Sequence, residues 1–190
     1  MRRMMALVVG LMVIATVALP AQRGEGQTGF QLQIKGNLLF PADENYADVY
    51  GSTVIFPGVQ AGYFLSDTLM VWAGYGYLHR SGTTPVLEEN ATSTQHLLKL
   101  GAGYKWGISD NLGFTVQAGI FHVSYSEEAL GEEVSDSAIG LTLEGSLNLA
   151  FSRTLFGLVF LGYDYATDEV NGTDIKLGGI TAGAGLGIAF

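Results

Sequence analysis

The final segment of the chain, Asp174 to Phe190, reads DIKLGGITAGAGLGIAF and alternates strictly. Phe190, Ile188, Leu186, Ala184, Ala182 and Ile180 fall on one face, with Gly187, Gly185, Gly183, Thr181 and Gly179 on the other. A period of two is that of a β-strand with a single apolar face. Such a row needs a covering layer, because an uncovered one templates aggregation. Two arrangements supply the cover. In a soluble, lipocalin-like barrel the row turns inward around an apolar ligand, and in a transmembrane barrel it turns outward to lipid while the first strand pairs the remaining edge.

The rest of the chain repeats the pattern. Phe30 to Phe40 sets Phe30, Leu32, Ile34, Leu38 and Phe40 against Gln31, Gln33, Lys35 and Asn37. Strands follow at Val54 to Phe64, Leu69 to Arg80, Thr94 to Trp106, Leu112 to Tyr125, Ser137 to Phe151 and Leu155 to Tyr165. With the final segment they number eight. Pro57 removes a ladder donor from the second strand and predicts a bulge or a late start there. The connections alternate in kind. Ser66-Asp67-Thr68, Ser109-Asp110-Asn111 and Ser152-Arg153-Thr154 are short turns of side-chain-to-backbone type, whereas Pro41 to Ser52, Ser81 to Ser93, Ser126 to Asp136 and Ala166 to Thr173 read as long polar loops.

That asymmetry favours the transmembrane arrangement, in which short turns lie at one end and long loops at the other. The aromatic residues sort with it. Phe30, Tyr63, Tyr104, Trp106, Phe114, Phe151 and Phe190 fall near the turn end, and Tyr75, Tyr77, Tyr163 and Tyr165 near the loop end, as two membrane interfaces would select. Every Asp and Glu except Glu25, Asp67, Asp110 and Glu144 lies in or beside a long loop. The fold class expected is all-β, an eight-stranded antiparallel up-and-down transmembrane β-barrel.

The opening residues fix the compartment. Arg2 and Arg3, an uncharged run from Met4 to Ala18, and Leu19-Pro20-Ala21 before Gln22 have the layout of a secretory signal peptide, residues 1–21. Residues 22–190 then form one domain. The chain lacks cysteine, which excludes disulfides and a lipid-modified cysteine. Its 27 glycines among 190 residues are about twice the usual ~7% share, and in alternating strands they imply tight packing inside a narrow barrel. The net charge of -9 argues against a nucleic-acid partner, which needs a basic footprint.

With its alternating strands, Ser-Asp turns and terminal Phe190, the mature chain resembles the small eight-stranded outer-membrane barrels, similar to the OmpA transmembrane domain and to OmpX-type and opacity-type proteins. The resemblance implies a bacterial outer-membrane location with loops extracellular and termini periplasmic. It implies a structural, adhesive or host-contact role rather than a common chemistry, and a monomer in contact with lipid and lipopolysaccharide. Phe190, Ile188 and Leu186 resemble the ending that such barrels present to their assembly machinery.

Few residues suggest chemistry. An eight-stranded barrel has an interior just wide enough for side chains, so Lys35, Lys99, Lys105 and Glu144 are expected to form a polar plug, with Lys35 and Lys99 as partners of the Glu144 carboxylate. A gated small-ion pore is the alternative. His122-Val123-Ser124 places a base and a hydroxyl on one strand face, followed by Asp136. This resembles the lipid A deacylases of the outer membrane, with His122 as base, Ser124 as nucleophile and Asp136 as the group orienting the imidazole. The asparagine that typically follows the serine in that family is Tyr125 here. Glu127, Glu128, Glu132 and Glu133 supply oxygen ligands suited to Ca²⁺ or Mg²⁺ without the ordered spacing of a binding loop, so a solvated loop with room for an extracellular ligand is the default. No cofactor motif is present, and no enzyme activity is expected beyond the deacylase-like alternative.

Overall fold

The segments of period-two sequence become strands whose sequence neighbours are also their pairing partners. A computed structural model describes residues 29–84, 89–129, 132–170 and 173–190. The expected leader, Glu88 and the Asn171-Gly172 tip lie outside them. The elements are β1 (Phe30–Pro41), α1 (Glu44–Tyr50), β2 (Val54–Phe64), β3 (Leu69–Thr83), β4 (Asn90–Gly107), β5 (Leu112–Ala129), β6 (Glu132–Ala150), β7 (Leu155–Val170) and β8 (Thr173–Ala189). All strand pairs are antiparallel, and β1 closes on β8 from Gln31↔Ala189 to Pro41↔Gly179, giving a closed eight-stranded barrel.

The wall separates two chemistries. On β1, Gln31, Gln33, Lys35, Asn37 and Leu39 are buried, while Ile34 is 66% exposed. Ile139 and Leu141 on β6 are 71% and 68% exposed, and Leu161 on β7 is 62%. Apolar side chains that face outward all round a closed barrel are a lipid-facing surface. Aromatic side chains bound it at both ends. Trp106 lies 4.6 Å from Tyr104 and 5.9 Å from Phe114, ring to ring, at the turn end, and Tyr163 lies 6.4 Å from Tyr165 at the other.

Glycines let the interior hold large groups. Phe156, Leu158 and Phe160 of β7 face inward, opposite Gly187, Gly185 and Gly183 of β8. A Cβ at Gly187 would collide with the Phe156 ring, and one at Gly183 with Phe160. Backbone conformation demands glycine at Gly178 and Gly179, whose φ values are 96° and 142°, where β8 leaves β1.

The three short turns share one bonding scheme. Leu65 and Ser66, Ile108 and Ser109, and Phe151 and Ser152 each aim two backbone N–H groups at the carbonyl of the leucine that opens the next strand, at 2.8–3.2 Å. The Ser66 hydroxyl also accepts from Leu69 N at 3.1 Å, and that of Ser152 from Leu155 N at 3.0 Å. The sequence apolar-Ser-x-x-Leu is thus an internal repeat of turn chemistry.

Three expectations need correction. The bulge or late start at Pro57 is absent: β2 keeps register with β1 through Gly36↔Pro57, and it is the pairing with β3 that ends, at Gly58↔Gly76. The side chain of Asn37 takes over the Phe56 carbonyl at 3.1 Å. Second, much of the expected loop sequence is strand. β3 runs to Thr83 and β4 starts at Asn90, and the pairs Ala129↔Glu132 and Val170↔Thr173 carry the other two hairpins almost to their tips. Beyond the bilayer both faces of a strand meet water, so the apolar alternation stops while backbone pairing continues. Third, the first loop contains α1. Asp43 caps it by accepting from Tyr46 N at 3.1 Å.

Candidate functional site

The interior has two layers, set by which residues the pleat turns inward. In the middle of the barrel they are polar. Lys35 Nζ donates to both Glu144 oxygens at 2.6 Å and lies 4.0 Å over the Phe160 ring. Gln60 Oε1 accepts from Lys35 at 3.4 Å, and Gln60 Nε2 donates to Gln117 Oε1 at 2.9 Å. Lys99 Nζ donates to the two Asp164 oxygens at 2.7 and 2.6 Å, and the Thr142 hydroxyl donates to Asp164 Oδ1 at 2.6 Å. Two lysines thus face two carboxylates, and the layer is neutral. A void of about 30 Å³ beside Lys35, Glu144 and Lys99 has room for a water or two.

This corrects the expected network. Lys35 does hold Glu144, but Lys99 pairs with Asp164, which is 2% exposed and which its sequence position groups with the last loop. The alternation of Val159, Leu161, Tyr163 and Tyr165 outward already places Asp164 inward. Lys105 lies at the turn end. Its Nζ is 5.5 Å from the Phe64 ring, and the residue lines, with Arg153, a cavity of about 310 Å³ there.

Toward the hairpin end the inner face becomes apolar. Leu39, Val54, Phe56, Leu78, Leu97, Phe121 and Val123 form a buried cluster, with Tyr125 on its hairpin side and Tyr46 packed against it. Helix α1 lies over this cluster. Tyr50 is 5% exposed, its ring 4.6 Å from that of Tyr46. Arg80 Nε donates to the Tyr50 carbonyl at 3.2 Å, and Asp43 Oδ2 accepts from Lys176 N at 3.1 Å, so β3 and β8 both hold the helix. At Gly82 a Cβ would collide with the Val49 carbonyl, so this glycine lets the helix seat. Burial raises the Glu127 carboxyl above its ordinary range; the Ser93 hydroxyl acts against this and the charge of Asp43 adds to it. Burial likewise raises the Tyr46 and Tyr50 phenols.

The candidate hydrolase residues do not assemble. His122 lies opposite Leu98 and Ile139, and Ser124 opposite His96 and Ser137, all on the outer face. Asp136 lies opposite Tyr125 and shares the inner face with Ala138, so the wall separates it from the other two. The pleat divides the acids in the same way: Glu127 faces inward, Glu128 and Glu133 oppose each other on the outer face, and the Glu132 side chain is outside the described residues. Among the described residues no three His, Asp or Glu converge as metal ligands. Phe190, Ile188 and Leu186 lie on the lipid face, 41%, 39% and 59% exposed. The Phe190 amide donates to the Phe30 carbonyl at 2.8 Å.

Known proteins with this architecture share the wall. OprG of Pseudomonas aeruginosa aligns with a TM-score of 0.70 at 13% identity, over 88% of this chain and 98% of that one. The N-terminal barrel domain of OprF from the same organism gives 0.58 at 20% identity, over 87% and 100%. Ail, the attachment invasion locus protein of Yersinia pestis, solved with the heparin analogue sucrose octasulfate, gives 0.54 at 13%, over 88% and 100%. At these identities the likeness is one of fold. No curated protein matches by sequence. A family model for the outer membrane protein beta-barrel domain matches residues 9–187. With the closed eight-stranded wall, its outward apolar face and its two aromatic belts, that match makes this chain a member of the outer-membrane β-barrel family.

Proposed function

We propose that the chain is a surface-contact and structural protein of the bacterial outer membrane whose lumen is closed to solutes, with the hairpins facing the exterior and the termini the periplasm. The observation that carries the reading is the filled interior. An ion-paired polar layer, an apolar cluster above it and α1 over the cluster leave the hairpin end as the surface the barrel offers. That end is acidic, with Asp43, Glu44, Asp48, Glu128, Glu133, Asp168, Glu169 and Asp174 on described hairpins or the helix. A contact partner therefore carries positive charge, unlike the sucrose octasulfate with which Ail was solved. Lipopolysaccharide and membrane lipid are the partners of the wall, and Phe190, Ile188 and Leu186 are the contact for assembly machinery.

Because the chain has no cysteine, single cysteines report its orientation cleanly. Ser135→Cys on a hairpin should react with a membrane-impermeant maleimide on intact cells. Asp110→Cys in a turn should react only after the outer membrane is permeabilised. The opposite pattern would overturn the surface role. A small-ion pore is the second reading, supported by the ion pairs that flank the 30 Å³ void.

A further inference from the structure

All three histidines of the chain, His79, His96 and His122, stand on the outer face of adjacent strands β3, β4 and β5. The register sets them on a diagonal. His79 is level with Thr94, Ser126 and Ser135; His96 with Tyr77, Ser124 and Ser137; His122 with Tyr75, Leu98 and Ile139. Each step crosses one strand and two residues, roughly 8 Å at ordinary sheet spacings. The rows pass from hydroxyl-bearing to apolar, with Leu98 52% and Ile139 71% exposed in the last. The diagonal therefore crosses the level at which the lipid-facing wall gives way to water. Tyr75 and Tyr77 of the hairpin-end belt lie on it.

Polar contacts hold two of these rings, His79 and His96, while leaving bonding capacity. Tyr75 Oη and His96 Nδ1 are 2.8 Å apart, and His79 Nδ1 and Thr94 Oγ1 are 3.0 Å apart. No described residue bonds His96 Nε2 or either nitrogen of His122. On this stretch of β3, β4 and β5 no described Lys or Arg faces outward, so the imidazoles are its basic groups. The titratable or charged groups that share this outer face are Tyr75 and Tyr77 on β3, Glu128 on β5 and Glu133 on β6; α1, which packs against β3 over the inner cluster, carries Glu44 and Asp48. Glu128 and Glu133 sit one row further out than His79, on its water side.

We propose that this diagonal is a proton-gated site for the anionic phosphate of a membrane lipid headgroup. Imidazole is the side chain whose charge changes between about pH 5 and 8. With the rings neutral, the acids above dominate the field and a phosphate is not held. With the rings protonated, two or three cations lie at headgroup depth, beside Ser124 and Thr94 as hydrogen-bond donors, while the Ser126 hydroxyl donates to Glu133 at 3.3 Å. The site rests on the membrane reading but not on the orientation proposed above.

The test uses the full mature chain in nanodiscs of phosphatidylcholine containing a minor fraction of phosphatidylglycerol, whose diester keeps one charge throughout the range. Spin-labelled versions of the two lipids report their association with the protein at about pH 5.5 and 7.5. Preference for phosphatidylglycerol should rise about fivefold at the lower pH, the factor that one water-exposed charge pair at ~4 Å supplies. The rise should vanish in the triple variant His79→Gln, His96→Gln, His122→Gln, with folding checked by migration of the unboiled protein on a gel. Wild type without a rise, or a triple variant that keeps it, overturns the proposal. Excess inorganic phosphate, matched in ionic strength by chloride, separates the two sources of the anion. A preference that survives supports a lipid site, and one that is abolished overturns it in favour of free phosphate. Phosphatidylglycerol occupies both leaflets of the disc, so an inverted orientation in cells would leave this result unchanged.

Discussion

Lys35 and Glu144 show how tightly the interior is specified. Both are under 10% exposed, and each bears a charge that burial alone would make costly. Removing one partner strands the other. Lys35→Met should destabilise the barrel by about 3–5 kcal/mol, and adding Glu144→Leu should recover most of the loss, because a well-packed apolar pair can match a buried ion pair. Urea unfolding of the protein in lipid vesicles, followed by tryptophan fluorescence, measures both; a double variant as unstable as the single would contradict the pairing. The inward placement of Lys35, Lys99 and Glu144 was legible from strand parity alone. Which lysine meets which carboxylate was not, because partners three strands apart, on β1 and β6 and on β4 and β7, are fixed by the shear of the closed barrel, which no local pattern records. Asp164 had the same parity signal, hidden by its closeness to an acidic hairpin.

At the level of elements, the apolar alternation identified every membrane-crossing segment and bounded β1, β2 and β8 to within a residue at the hairpin end, but it stopped short in β3 to β7, at or beyond the level of the belt that Tyr75, Tyr77, Tyr163 and Tyr165 mark. Lipid imposes that alternation, and strands such as Asn90 to Gln95 or Glu132 to Ala138 rise beyond it on backbone pairing. Helix α1, residues Glu44–Tyr50, is too short for periodicity to reveal, although Asp43 ahead of Glu44 is an N-cap signal. The half-buried Glu127 should make the seating of this helix depend on pH. Its carboxyl binds a proton more readily when the cap is closed than when open, so closure is strongest below the ordinary carboxylate pKa of ~4.3 and weakens as pH rises through the raised value. Hydrogen exchange of the α1 amides, corrected for intrinsic rates, should therefore speed up over that range in wild type and stay level in Glu127→Gln. Equal pH dependence in both would leave Glu127 no part in seating the helix. Gly82→Ala acts on the same contact from β3. By crowding the Val49 carbonyl it should speed α1 exchange while leaving that of the membrane-crossing strands unchanged.

On the scale of the whole molecule, the wall and the filling divide the work. Outward Ile34, Ile139, Leu141 and Leu161 make the barrel a membrane protein, and the closure of β8 on β1 leaves no free edge in lipid. Inward, the paired lysines and carboxylates, the Phe121 cluster and α1 occupy the space through which solutes would pass. On the function proposed above, contact falls to the hairpins and the lumen carries no transport. Recording from the purified, folded protein in a planar lipid bilayer tests this most directly. The filled interior predicts a silent membrane at all applied potentials, and reproducible unitary conductance steps that disappear when the protein is heat-unfolded would contradict it.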